Sequence, residues 1–236
     1  MKSCSLLAGA AVLLLCACGD NDNMQTTPVT PPPPPVEMKE YQFSIKVINL
    51  TEAQPMSPIA LALHQAGQWW QLGMPASIAL EQMAEGGDNS ALLAMPEFAI
   101  QASASSPLPP GETQEFTLTS ESLENMKLSL VTMMVNSNDG FTGLNNLDVS
   151  DFTLGDMRRL YSVAYDAGTE ANSEDSGTIP GPADGGEGFN SERDDINVVT
   201  MHAGVVGRDD GLPLSVLSSV HKFDNPLLAI TVTRTK

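Results

Sequence analysis

The sequence predicts an all-β fold, an antiparallel β-sandwich with one short helix and a long acidic loop. Three observations lead there. Several segments alternate apolar and polar side chains with the two-residue period of a half-buried strand. The run Leu128 to Val135 (LSLVTMMV) is apolar on both faces, as a central strand is. Gly, Pro, Asn and Asp punctuate the chain between these segments and mark turns.

In chain order, Phe43, Ile45 and Val47 alternate with Ser44 and Lys46 and define a first strand. Ile59 to Leu63 and Phe98 to Ala102 are shorter candidates. Between them, Pro75 suits the first turn of a helix, Ile78, Leu80, Met83 and Ala84 supply its apolar contacts, and Gly86-Gly87 ends it. Phe116 and Leu118 repeat the strand period, and Leu128 to Val135 follows as the central strand. Leu160 to Tyr165 and Ile196 to Met201 are further candidates, and Leu228, Ile230 and Val232 close the chain with a clear alternation. Trp69-Trp70 reads as core or edge packing in preference to a sugar-stacking platform.

Charge narrows the function classes. Eleven Lys and Arg against 29 Asp and Glu give a formal net charge of -18. Phosphate-backbone binding needs clustered cations that release counterions, so this balance argues against nucleic acid. It argues equally against a polybasic grip on anionic lipid.

The N-terminus reads as an address. Met1-Lys2 precedes the apolar run Leu6 to Leu15, which is too short to span a bilayer. Leu15-Cys16-Ala17-Cys18 resembles a bacterial lipobox, which makes 1–17 a lipoprotein signal peptide and Cys18 the lipidated residue. Cys4 and Cys16 leave with the signal and lipid consumes Cys18, so the mature domain has no thiol for a disulfide, a zinc site or a nucleophile. Gly19 after the modified cysteine favours an outer-membrane lipoprotein of the bacterial envelope, facing the periplasm or the surface. Residues 18–40 carry Pro31 to Pro35 and form a tether, reaching roughly 60–70 Å if fully extended as polyproline II. The remaining segment, 41–236, is the sandwich.

Three carboxylates stand at strand ends. Asp139 lies in Asn136-Ser137-Asn138-Asp139-Gly140-Phe141, directly after the central strand, and Asp166 and Glu170 lie in Tyr165-Asp166-Ala167-Gly168-Thr169-Glu170. Loops at one tip of a sandwich can bring such groups together, and converging carboxylates repel unless a cation joins them or their pKa values rise. Calcium takes six to eight oxygen ligands in flexible geometry, so it suits this set. The same residue types also simply favour turns. A second acidic stretch, Glu174 to Asp195, holds five glycines and reads first as a solvated flexible insertion, with a second cation site as the other reading.

Taken together, Asn138-Asp139-Gly140-Phe141-Thr142-Gly143-Leu144 and Tyr165-Asp166-Ala167-Gly168-Thr169-Glu170 resemble the spondin N-terminal domain of F-spondin, mindin and many bacterial lipoproteins. Phe43 to Thr51 and Pro55-Met56-Ser57-Pro58 extend the likeness over most of 41–236. The resemblance implies a sandwich like the calcium-binding membrane domains of synaptotagmin and protein kinase C, with calcium on Asp139, Asp166 and Glu170. Two departures stand out: Gly140 replaces a tryptophan of the animal pattern, and Glu170 replaces an aspartate. The animal cysteines and the following thrombospondin-type repeat are absent, so integrin binding is not implied.

The function expected from these readings is a non-catalytic, calcium-stabilised binding or adhesion module, anchored to the membrane by lipid, with an unknown protein or glycan ligand. Two alternatives stay open. One is a hydrolase using His202 or His221 with a carboxylate, although no His-Glu-x-x-His and no Gly-x-Ser-x-Gly occurs. The other is a purely structural envelope protein.

Overall fold

Two antiparallel sheets, ten strands in all, make the sandwich in the computed structural model, which describes residues 39–236. The signal peptide, Cys18 and the tether up to residue 38 lie outside the described residues. Among the described residues, no helix is long and apolar enough to cross a membrane.

The first sheet has the order β4-β1-β10-β7, with β1 at Tyr41–Asn49, β4 at Thr113–Ser120, β7 at Met157–Ser162 and β10 at Leu228–Arg234. The second has the order β3-β2-β5-β6-β8-β9. There β2 is Ala60–His64, β3 Ile100–Ser103, β5 Lys127–Met133, β6 Gly140–Asp148, β8 Ala164–Asp166 and β9 Thr200–Met201. Phe43, Ile45 and Val47 point inward from β1 and meet Ile230 and Val232 of β10 with Leu61, Leu63, Leu128 and Leu130 of the facing sheet. The alternation read from the sequence is therefore the inner face of a sandwich.

The segment apolar on both faces has a second cover. The helix α1 (Ile78–Gly86) and the short α2 (Ser90–Leu93) lie over the outer face of the second sheet. Leu80, Met83 and Leu92 pack there with Ala60, Ala62, Val131, Met133 and Phe141, all fully or nearly fully buried. Each such side chain contributes roughly 1.5–3 kcal/mol by leaving water. Trp69 packs on Phe98 with ring centroids 4.9 Å apart, and Trp70 lies 5.3 Å from both Phe141 and Tyr165, so the tryptophan pair is core.

Three sequence expectations need adjustment. The helix starts later than Pro75: Ser77 is the cap, its hydroxyl accepting from Leu80 N at 3.1 Å, and Gly87 ends the helix at φ 70°. Leu160 to Tyr165 is not one strand but two, β7 in the first sheet and β8 in the second, with Val163 as the crossing residue. Ile196 to Met201 contributes only the two residues of β9.

The acidic stretch 174–195 also departs from a solvated insertion. It carries no helix or strand, yet it is pinned at several points. The buried Glu174 carboxylate accepts from Val206 N at 2.8 Å and Ser215 Oγ at 3.2 Å. Ile179 packs with Val205 and Leu217 in a small core of its own. Arg193 donates from Nε and Nη2 to the two oxygens of Glu81 on α1, at 3.0 and 2.6 Å. Its charges are met by donors both within the stretch, such as Gly177 N on Asp184, and outside it, such as Val206 N on Glu174.

Candidate metal centre

The turn between β5 and β6 is built by side-chain hydrogen bonds. Ser137 Oγ donates to Met134 O at 2.6 Å and accepts from Gly140 N at 3.0 Å, which folds the chain back sharply enough to bury Asn138 and Asp139. Gly140 then pairs with Asp166 across β6 and β8, so Asp139 and Asp166 sit on adjacent strand ends, and Ala167 N donates to Asp139 O at 3.3 Å. The two separated turns meet at one tip of the second sheet.

Asp139 is wholly buried and has two unlike oxygens. Its Oδ2 accepts from Thr169 N at 2.7 Å, Thr169 Oγ1 at 3.2 Å and Glu170 N at 3.1 Å. Among the described residues its Oδ1 has no hydrogen-bond partner. Burial, then the nearby Asp166 charge, push the Asp139 carboxyl up to about 7. Asp166 Oδ1 accepts from Gly168 N at 2.8 Å and Oδ2 from Asn172 Nδ2 at 2.6 Å.

Glu170 joins the site through its backbone, whereas its carboxylate is held by Asn138 Nδ2 at 2.9 Å. Burial, followed by the neighbouring charges of Glu85, Asp194 and Glu187, lifts it to about 7, against the Asn138 hydrogen bond. Glu85 itself is raised by burial while its Oε2 accepts from Asn190 N at 2.9 Å. Glu170 thus links Asp139 to a wider acidic cluster on α1 and the pinned stretch. Among the described residues, no three His, Cys, Asp or Glu side chains are grouped as a ready metal cage. What the tip offers is an Asp139–Asp166 pair, the hydroxyl of Thr169, the amide oxygen of Asn138 and an orphaned buried oxygen at Asp139 Oδ1. That donor set is oxygen throughout and suits a hard divalent cation such as calcium.

Glycine at position 140 has a structural reason. A Cβ on Gly140 would stand 2.6 Å from Met134 Cε and from Ser137 Oγ and 3.0 Å from His202 Cδ2. His202 occupies the space beside the turn, its ring 5.2 Å from Phe223. The sequence reads this histidine first as a partly buried structural group, with catalysis as the alternative. It is 8% exposed, its Nδ1 accepts from Gly204 N at 3.0 Å and its Nε2 has no partner. Burial lowers its pKa, against the pull of Asp166.

The other histidines lie elsewhere. His64 is tied by both ring nitrogens, to Ala66 O and Ser129 Oγ. His221 lines a cavity of about 260 Å³ with Ala53, Pro55, Asn136, Pro182 and Ala183, which holds no carboxylate. The signal that would have found His202 is its register: its N–H donates to Ala164 O at 3.1 Å, which places it diagonal to Asp166.

No family model matches this chain, and no curated protein matches it.

Proposed function

We propose that this chain is a non-catalytic binding or adhesion module of a bacterial envelope lipoprotein, of the spondin N-terminal kind, held at its tip by calcium. Cys18 would carry the lipid, and the ligand would be a protein or glycan. The observation that supports the cation is the orphaned, buried Asp139 Oδ1 beside Asp166. Two desolvated carboxylates at one tip need a proton or a cation between them, and above neutral pH a proton no longer serves. Asp139 and Asp166 are the proposed first ligands, and Glu170 would complete the set by exchanging its hydrogen bond from Asn138 for the ion, with Thr169 holding the turn that presents them. Bound calcium would supply positive charge to the pair and fix the two turns against each other.

Thermal melting of the purified chain with calcium and with chelator tests this reading. A ligand that binds only the folded state adds about 2.7 kcal/mol at a hundredfold excess over Kd. For a domain of this size that corresponds to a rise of roughly 5–10 °C in Tm. Identical melting temperatures, together with no bound metal by native mass spectrometry, would overturn it.

A further inference from the structure

We infer that the opposite end of the sandwich binds an extended, basic–apolar polypeptide segment by strand addition. A cavity of about 700 Å³ opens there between the edge of one sheet and the edge of the other. Its floor is apolar, formed by Leu63, Ile100 and Met126. β3, the last strand of the second sheet, begins at the cavity's mouth with Ile100, and β4, the last strand of the first, ends there with Thr119 and Ser120; Gln65, Ala66, Pro96, Glu97, Glu121 and Ser122 of the adjoining loops complete the wall. Each is paired to a single neighbour, β3 to β2 and β4 to β1. Among the described residues, no backbone hydrogen bond joins β3 to β4 across the cavity. Unpaired strand edges are templates for another chain, and natural sheets usually cover them or guard them with charge.

The shape selects the occupant. A strand laid along an edge gains main-chain hydrogen bonds, and its alternate side chains fall on one side, where an apolar one can enter the cavity. Charge selects the rest. Glu97 and Glu121 line the rim and are exposed, and no Lys or Arg lines it. The nearby Lys127 lies close to Asp148. Lys or Arg alternating with aliphatic or aromatic residues would complement this surface, and acidic strands would be repelled. The site rests on the binding-module reading but not on its cation. Met126 precedes β5, whereas Asp139 follows its far end, roughly 20 Å along the strand.

The test is a selection from an eight-residue peptide library in which Lys or Arg alternates with Val, Ile, Leu or Phe, against the full chain, with calcium and with chelator. The comparison library replaces Lys and Arg by Glu. The proposal expects enrichment from the basic library only, equal in calcium and in chelator. Selected peptides are expected to bind about tenfold or more weakly when alternate backbone nitrogens are methylated, and likewise to Glu97→Lys/Glu121→Lys. No enrichment, or methylated peptides that bind equally well, would overturn strand addition. A dimer by sedimentation that Glu97→Lys/Glu121→Lys dissolves would assign the edges to a second copy and overturn the peptide reading. Loss of the calcium response with peptide binding intact would sink the cation and leave this site standing.

Discussion

Replacing Asp139 by alanine is expected to lower stability by about 3–5 kcal/mol, because three donors that now converge on Oδ2 would be left buried and unpaired. Asparagine at the same position is expected to behave differently, and the difference isolates the charge. An amide oxygen can still accept from Thr169 and Glu170, while the repulsion with Asp166 disappears. The sign follows from linkage. The folded carboxyl titrates at about 7 against an ordinary 3.8, so folding takes up a proton between those values. Stability of the metal-free wild type therefore falls as pH rises from about 4 to 7, by an amount on the order of a few kcal/mol.

Metal-free Asp139→Asn should match the wild type near pH 4 and exceed it above pH 7. In calcium at pH 7.5 the order should reverse, since a charged carboxylate binds the ion more strongly than the neutral amide oxygen that replaces it. His202 contributes with opposite sign. Its pKa is lowered in the fold, so its share of stability is present above about 6.5 and lost on acidification. Comparing the two proteins at each pH by urea unfolding, in the wild-type and in the His202→Gln background, separates the two contributions. Parallel curves in chelator would show that Asp139 does not carry the pH dependence.

The second large effect concerns Gly168, which sits between Asp166 and Thr169 at φ 68°. A Cβ there would meet Val198 O at 2.3 Å and Val198 N at 2.8 Å, both backbone atoms. Neither can rotate away, so the turn or the bend at Val198 must move. Gly168→Ala is expected to cost about 3 kcal/mol or more, roughly 1 of it from the left-handed backbone and the rest from displacement. Because Thr169 N and Glu170 N follow directly, Asp139 would lose its donors and the response to calcium would shrink as well. Gly177→Ala is the matched control: its φ is 95°, with nothing within 4 Å of the new Cβ. It should cost only the backbone share. Equal losses in the two variants, read by urea midpoint, would remove the close approach to Val198 from the account.

Much of this arrangement was legible before any coordinates. The alternation of Phe43, Ile45 and Val47 comes from one face meeting a core, and short-range periodicity reports that directly. The Leu128–Val135 run, apolar on both faces apart from Ser129 and Thr132, is central because helices cover its outer face as the other sheet covers its inner one. Asp139 and Asp166 meet because each ends a strand at the same tip, as their positions in the sequence suggested.

What stayed hidden depends on contacts distant along the chain. The strand Gly140–Asp148 has little periodicity of its own; Gly143 is there because a Cβ would lie 1.9 Å from Leu130 O. The division of Leu160 to Tyr165 between two sheets is set by which partner each half finds, β10 or β6. The acidic stretch looked free because its anchors, such as Asn138 Oδ1 accepting from Glu174 N, join residues 36 apart. Local composition reports the repulsion and not the donors that offset it.

The position of β1 has a mechanical corollary. Any pull arriving from the chain before Tyr41 enters along a strand laddered on both sides, to β4 over eight register pairs and to β10 over seven. Force along such a strand loads its hydrogen bonds together instead of unzipping them in turn. A body hung from a surface by this end would withstand drag with its most cooperative ladder, while the tip bearing Asp139 stays out of the line of tension.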